Sequence, residues 1–409
     1  MTAAFAEIAV ALAYYRQTME RVAFLCFAAS AFFAGFSLPL GRLLLAVSVV
    51  LFLVDCVRRH AGVTLAPSGW LYLVFLSWAV GVTVFGINPH CGVPRLTKLL
   101  WFAGILAGSW MVTTPNRLAM VLGAYAAGTA VVAARTLVTA PWQAWQALHN
   151  GLQPDFMTAL VNAGSMTNSQ RCMVGLILAV GLVMTVWRSG GRPVWWWLVV
   201  LLTGLALLLS FKRGAWFATV SMLAVLIAVR GGWKAWLGMA VALVVLLSLA
   251  PVQNRLQALA HEFDTGSGGR ITMWTKVAPA LVRAHPWSGA GYRSLTNGDF
   301  RRIAPEIEPD RDHLHSNLVE MVVSTGWIGL AIYLAWMGMA LIEAGGLVWR
   351  TRASACADNT LAVVLLLGLC ALLLNGLVEY NFGDSELVLA YGVLMGCAAG
   401  LRKKSDSLS

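Results

Sequence analysis

A histidine stands among carboxylates directly before a long apolar segment, a combination suited to acid–base chemistry. His315 lies near the end of the polar stretch 310–316, which also contains Asp310, Asp312 and His313. Histidine titrates near neutral pH and is the most frequent general base. We predict His315 as the candidate base, with an interfacial histidine that caps the next helix as the alternative. A metal site at His313 and His315 is disfavoured, because alternate residues point apart unless the backbone is extended, and no third ligand is evident.

Several cations stand at the ends of apolar segments, where they could bind an anionic group. Lys212 and Arg213 occupy a very short turn, and Arg270 follows glycines directly before a stretch of helical periodicity. Arg135 and Arg171 lie near the ends of other apolar segments. A guanidinium grips phosphate with two hydrogen bonds, and a helix N-terminus attracts anions. The alternative is that these side chains snorkel to the membrane interface.

The turn at residues 379–386 is acidic and includes Asp384. Its carboxylates could bind sugar hydroxyls or pair with the arginines. An ordinary polar turn is the alternative interpretation.

The elements that must position these residues are apolar segments long enough to cross a bilayer. The chain of 409 residues is 59% hydrophobic and 11% charged, whereas soluble domains are about 25% charged. A crossing needs about 20 mostly apolar residues, and a membrane β-barrel would show short alternating segments instead. The sequence predicts an all-α polytopic membrane protein with about twelve transmembrane helices. The predicted helices are 23–38, 43–57, 70–87, 98–113, 118–140, 172–187, 194–210, 214–230, 233–250, 317–343, 359–376 and 386–401.

Positive charges predict the orientation. With a cytoplasmic N-terminus, every inside segment carries at least one Lys or Arg, as the positive-inside rule requires. An even number of crossings then places both termini in the cytoplasm. The net charge of +11 is assigned to this anchoring and to an anionic ligand, so nucleic acid is not a predicted partner.

Two outside segments are long, residues 141–171 and 251–316. Loops beyond about 12–15 residues are usually functional. The second is predicted as a large loop between the ninth and tenth helices of a single membrane domain, residues 1–409. Within it, residues 271–284 have helical periodicity, and we expect a helix along the membrane surface or over a cavity.

Four motifs together resemble the O-antigen ligase family. His315-Ser316 is followed by Gly326 and Gly329 at the family's spacing, and the turn at Arg213 is similar to the family's short arginine turn. The stretches G-G-R-I-T-M-W at 268–274 and H-P-W-S-G-A-G at 285–291 resemble the start of the family's large periplasmic loop. Lys212 beside Arg213 departs from the pattern, because family members often have only the arginine.

The resemblance implies a bacterial inner-membrane glycosyltransferase of the GT-C type, with its active site at the periplasmic face. Its donor would be a glycan on undecaprenyl pyrophosphate and its acceptor lipid A–core oligosaccharide, without metal, nucleotide sugar or other cofactor. His315 would be the base in an inverting displacement, and Arg213 and Arg270 would hold the pyrophosphate. Weaker candidates for donor binding are Lys212, Arg171 and Arg135, and possible supporting residues are His313, Asp312 and Asp384.

Three alternatives stay open at this point. An O-antigen polymerase or a protein O-oligosaccharyltransferase of the same superfamily would share the donor and differ in the acceptor. A transporter or flippase for an anionic lipid would instead place charges deep in several spans.

Overall fold

A computed structural model describes residues 2–58, 65–257, 269–309, 312–354 and 356–406. Asp310 of the polar stretch 310–316, its neighbour Arg311 and the first glycine of the G-G-R-I-T-M-W motif, Gly268, lie outside these ranges. Over the described residues the chain forms helices and no strand. The helices are α1 Thr2–Ala34, α2 Leu38–Arg58, α3 Pro67–Val84, α4 Pro89–Leu96, α5 Gly104–Met111, α6 Pro115–His149, α7 Phe156–Ala163, α8 Met166–Arg188, α9 Val194–Leu209, α10 Arg213–Arg230, α11 Trp233–Ser248, α12 Ala250–Gln257, α13 Arg270–Thr272, α14 Ala278–Ala284, α15 Asn297–Ile303, α16 Asn317–Thr351, α17 Cys356–Gly376 and α18 Ser385–Asp406.

Local sequence signals set several helix starts. Proline occupies the first helical position of α3, α4 and α6, where its missing N–H would have no intrahelical partner anyway. The N-cap side chains of Thr114 and Ser165 accept the backbone N–H groups of Arg117 and Asn168, each at 3.3 Å. The bundle is thus assembled from helices whose ends are fixed by their own residues.

Seven of the described helices are long and apolar enough to cross a membrane, namely α2, α3, α6, α8, α10, α16 and α17. The chain is therefore a multi-pass, all-helical membrane protein, as the composition predicted. Each of the twelve predicted segments overlaps a described helix, but the number of crossings stays a prediction. The segment predicted at 98–113 differs most, because it divides into a 3₁₀ helix Leu99–Ala103 and the short α5.

The interior of the bundle is formed by α8, α17 and α18, whose side chains are buried on most sides. Close packing of α5 on α18 depends on glycine. A Cβ at Gly108 would come within 2.7 Å of the Gly396 backbone, and one at Gly396 within 2.4 Å of the Gly104 carbonyl. Small residues let membrane helices approach in this way. By contrast, α11 has no buried residue, as expected of an apolar helix that faces lipid.

The large loop has a hydrophobic core of its own. A π-helical turn, Met273–Val277, joins α13 to α14, so residues 270–284 form one helix, close to the predicted range. Met273, Val277 and Leu281 on this helix are buried together with Phe300 of α15 and Val323 of α16. The described residues 269–309 of the loop are therefore packed together and rest on α16.

The loop contacts α16 at a kink in that helix. Gly326 has φ +70° and ψ −177°, a conformation that only glycine adopts readily. There the helix hydrogen bond is replaced: Trp327 N–H donates to the Pro286 carbonyl at 2.8 Å. In turn, Ala290 N–H donates to the Val323 carbonyl at 2.8 Å. The two glycine-containing motifs thus bind each other through their backbones.

We predict that Gly326→Ala disrupts this docking. A Cβ at Gly326 would lie 2.1 Å from the Trp287 carbonyl oxygen and would also strain the backbone. The expected cost is about 3 kcal/mol or more, seen as a large fall in the thermal unfolding midpoint of purified protein.

The matched control is Gly338→Ala in the same helix, where a Cβ would meet nothing within 4 Å. Alanine there favours the helix by up to about 1 kcal/mol. Equal midpoints for the two variants would contradict the proposed role of the kink.

Candidate active site

His315 sits in the connection that leads into α16, immediately before Ser316, the N-cap of that helix. Its side chain is buried, and Nδ1 lies 3.5 Å from Oε2 of Glu379. Burial lowers the pKa of His315, and the nearby Glu379 carboxylate opposes that shift. The neutral imidazole, the form that accepts a proton, therefore predominates at neutral pH.

The backbone just before His315 is held on both sides. The indole N–H of Trp274 donates to the Leu314 carbonyl at 2.6 Å, and the Leu314 N–H donates to the Glu320 carboxylate at 2.9 Å. Glu320 belongs to the first turn of α16, where the helix dipole favours a negative charge. The loop helix and α16 thus fix the position of His315 between them.

Glu379 joins His315 to Arg270. Its Oε1 pairs with a guanidinium nitrogen of Arg270, while Oε2 faces His315. The Glu379 side chain is 6% exposed and the Arg270 side chain 29% exposed, so the carboxylate is enclosed and the cation reaches the surface. One buried carboxylate therefore sets the relative positions of the candidate base and a candidate pyrophosphate ligand.

A network of asparagines fixes the turn that carries Glu379. Asn317 Nδ2 donates to Asn381 Oδ1 at 2.8 Å, and Asn317 Oδ1 accepts the Phe382 N–H at 3.1 Å. Asn381 in turn donates to the Leu372 carbonyl at 2.8 Å. All four residues are buried, so the turn after α17 is held against the start of α16.

The arginine turn lies beside the same carboxylate. Lys212 is the N-cap of α10 and Arg213 its first residue. A Cβ at the next position, Gly214, would be 3.0 Å from Asn375 Nδ2 and 3.9 Å from Glu379 Cγ. The N-terminus of α10, with Arg213, therefore packs on the turn that carries Glu379. The structure brings positions 213, 270 and 315 together around one residue.

Backbone strain is concentrated in the same region. Among the described residues, three non-glycine residues have positive φ: Phe211 at +52°, Arg293 at +50° and His315 at +51°. Phe211 directly precedes Lys212 and Arg213, and His315 is the candidate base. Such conformations cost free energy and cluster at functional sites. The positive φ values at Phe211 and His315 are thus an independent indication that the residues around Glu379 form a functional site.

The other predicted cations occupy different surroundings. Arg171 forms an ion pair with Glu386 at 2.9 Å and donates to the Gly35 carbonyl at 3.0 Å, contacts that join α8, α18 and the end of α1. Arg135 is exposed on α6. Donor binding by Arg171 and Arg135 stays a prediction, and the contacts of Arg171 are those of a residue that holds helices together.

The predicted supporting carboxylates do not face His315. Asp312 contacts His313 Nδ1 at 2.7 Å and Arg293 at 3.1 Å, and its hydrogen bond with His313 lowers the pKa of the carboxyl. Asp384 accepts from Thr167 Oγ1 at 2.8 Å, and burial raises its pKa. Among the described residues, the carboxylate that pairs with His315 is Glu379. The sequence places Glu379 in the acidic turn, but no local pattern separates it from Asp384.

His313 lies next to the base. Its ring centroid is 4.3 Å from that of His315 and 5.7 Å from that of Tyr380. Among the residues that the structure describes, no group of three His, Cys, Asp or Glu side chains has the arrangement of a metal site.

Residues 198–334 match the model of the O-antigen ligase family. This segment belongs to the O-antigen ligase family. It comprises about a third of the chain and contains Arg213, Arg270, His315 and Gly326. The match confirms the resemblance drawn from the motifs. No curated protein matches the chain. Glu379 lies beyond the matched segment, so its place beside His315 is a finding of the structure alone.

Proposed function

We propose that this protein transfers a glycan from undecaprenyl pyrophosphate to lipid A–core oligosaccharide at the periplasmic face of the bacterial inner membrane. The family match supports an enzyme of the O-antigen ligase and polymerase type. The observation that carries the proposal is the contact of Glu379 with both His315 and Arg270, beside the N-terminus of α10. This arrangement provides a base next to cations, which is what glycosyl transfer from a pyrophosphate requires.

The proposed reaction is a one-step displacement. The acceptor hydroxyl oxygen bonds to the anomeric carbon while the bond from that carbon to the pyrophosphate oxygen breaks, which inverts the anomeric configuration. His315 takes the hydroxyl proton. In this proposal Nδ1, which lies 3.5 Å from Glu379, keeps its proton, and Nε2 is the nitrogen that accepts the proton of the hydroxyl. The leaving group departs as undecaprenyl pyrophosphate.

Arg213 and Arg270 stabilise the departing pyrophosphate in this proposal. Cations placed in advance where negative charge develops lower the barrier without reorganisation during the reaction. A guanidinium has five N–H donors, so Arg270 can pair with Glu379 through one edge and with phosphate oxygens through another. Lys212, at the N-cap of α10, adds charge at the same place.

A transporter fits the helices less well than an enzyme does. The buried carboxylate of Glu343 accepts the Ser68 N–H at 3.0 Å and the Ser68 hydroxyl at 2.5 Å, at the start of α3. Glu343 therefore satisfies the N-terminus of α3, which is a structural role. A polymerase or protein O-oligosaccharyltransferase would use the same base and cations, and its acceptor would distinguish it.

We predict that His315→Ala lowers the transfer rate by about 10²–10⁴-fold, the usual contribution of a general base. The assay uses purified protein, undecaprenyl-pyrophosphate-linked glycan and lipid A–core, and it measures initial rates. His149→Ala is the matched control and should retain full activity, because His149 is exposed at the end of α6 and belongs to no part of the candidate site. A His315→Ala enzyme that turns over like the wild type would refute the assignment.

Transfer to glycan or protein acceptors, but not to lipid A–core, would favour the polymerase or the oligosaccharyltransferase.

The rate should also depend on pH through His315. A base works when deprotonated, so activity is present above the pKa of His315 and is lost as the pH falls through it. Because Glu379 raises this pKa against the effect of burial, Glu379→Gln should move the acid limb of the profile to lower pH and also reduce kcat. Initial rates of both enzymes across pH 4.5–8 (an approximate range around the usual histidine pKa) test this. An acid limb that stays in place or moves upward would contradict the contact's role.

A further inference from the structure

A second group of cations lies near the candidate site but away from Glu379. It consists of Arg95, Lys98 and Arg293, which we call the second cationic cluster. Lys98 Nζ donates to the Gly383 carbonyl at 2.7 Å, and Arg293 Nη1 donates to the same oxygen at 3.3 Å. Two charged groups thus converge on one neutral acceptor.

Arg95 positions the backbone of Arg293 within the cluster. Its Nη1 donates to the Arg293 carbonyl at 2.6 Å, which fixes Arg293 in its left-handed conformation with φ +50°. Arg293 is one of the three strained non-glycine residues among those described. The chain therefore maintains an unfavourable backbone conformation that directs this guanidinium towards Gly383 and Asp312.

Arg293 has unused hydrogen-bonding capacity. Its side chain is 9% exposed, it lies over the Tyr380 ring at 5.5 Å, and its Nη2 pairs with Asp312 at 3.1 Å. Its buried Nε has no hydrogen-bond partner among the described residues. Buried donors are usually paired, so this Nε leaves the guanidinium one donor that a bound anion would accept from.

The carboxylates near the cluster also bind other groups. Asp312 is shared between Arg293 and His313, Asp384 accepts from Thr167, and Glu386 pairs with Arg171. Their negative charges still act on Lys98 and compensate part of the positive charge of the cluster. Among the described residues, however, the hydrogen-bond acceptor of Lys98 is a carbonyl and not a carboxylate.

The cluster is connected to the base on a path that does not pass through Glu379. Contacts run from the His315 ring to the His313 ring at 4.3 Å, from His313 to Asp312 at 2.7 Å, and from Asp312 to Arg293 at 3.1 Å. Arg270, in contrast, reaches His315 through Glu379. An in-line displacement brings the nucleophile from the side opposite the leaving group, so the two substrates need separate sets of contacts.

We propose that the second cationic cluster binds a phosphate group on the sugar chain of the acceptor glycolipid. Lys98 and Arg293 contact the anion, and Arg95 is a positioning residue for Arg293. Binding there would hold the acceptor hydroxyl at His315 while the pyrophosphate occupies Arg213 and Arg270. This inference rests on the proposed function for the identity of the acceptor.

Kinetics with native and phosphatase-treated lipid A–core test the proposal on the full-length enzyme in phosphatidylcholine nanodiscs. Lys98→Ala should raise KM for the native acceptor about tenfold or more, the usual effect of losing a charge-assisted hydrogen bond. It should leave KM for the donor and for the phosphatase-treated acceptor unchanged. Lys98→Arg should restore the native KM. The control Lys276→Ala, which removes a loop cation paired with Glu306, should leave every constant unchanged.

An unchanged KM for native acceptor in Lys98→Ala would overturn the proposal. A rise in KM confined to the donor would also overturn it, because it would assign the cluster to the pyrophosphate.

Direct binding of native lipid A–core without donor separates this inference from the proposed function. Wild-type protein that binds but does not transfer refutes the function, and loss of that binding in Lys98→Ala still supports the site. Equal competition by phosphatidylglycerol in the nanodisc would assign the cluster to a bilayer headgroup and overturn the acceptor assignment.

Discussion

Glu379 places a negative charge where little water reaches it, and the arrangement of the site depends on how that charge is balanced. One carboxylate oxygen pairs with Arg270 and the other faces His315. A buried charge is costly unless it is paired and hydrogen-bonded, so the carboxylate constrains both partners to stay in place. The loop helix that begins at Arg270, the connection into α16 and the turn after α17 are thereby held together at one point.

The membrane imposes a second constraint, because backbone groups without partners are very costly in lipid. The kink at Gly326 interrupts α16, and the chain compensates with bonds from other elements. Trp327 N–H donates to Pro286, and the Thr325 carbonyl accepts the Trp78 indole N–H at 3.0 Å. The large loop is therefore attached to the bundle through the groups that the kink releases. Motif glycines that resemble a catalytic signature serve here to seat the segment that positions Arg270 and Trp274.

The sequence predicted the features that local pattern can encode. The length of the apolar segments predicted the helices, and periodicity predicted the helix at 271–284. Cations at the ends of apolar segments pointed to Arg213 and Arg270, and a histidine among carboxylates pointed to His315. Contacts between distant positions were not readable in this way. Asp312 was assigned to His315 by proximity in sequence but contacts His313, whereas Glu379, 64 residues further on, faces His315. Lys98 and Arg95 were missed because a cation at a helix end is common, and only the fold shows that they meet Arg293.

In the proposed mechanism, Glu379 couples the base to the pyrophosphate-binding cations. A double-mutant cycle of Glu379→Gln and Arg270→Gln measures this coupling as kcat/KM for the donor with purified enzyme. Residues that act through one contact show coupling of about 0.5–3 kcal/mol. The loss of kcat/KM in the double variant is expected to be clearly smaller than the product of the losses in the two single variants. Strict additivity, with each substitution reducing kcat/KM by the same factor whether or not the other is present, would contradict it.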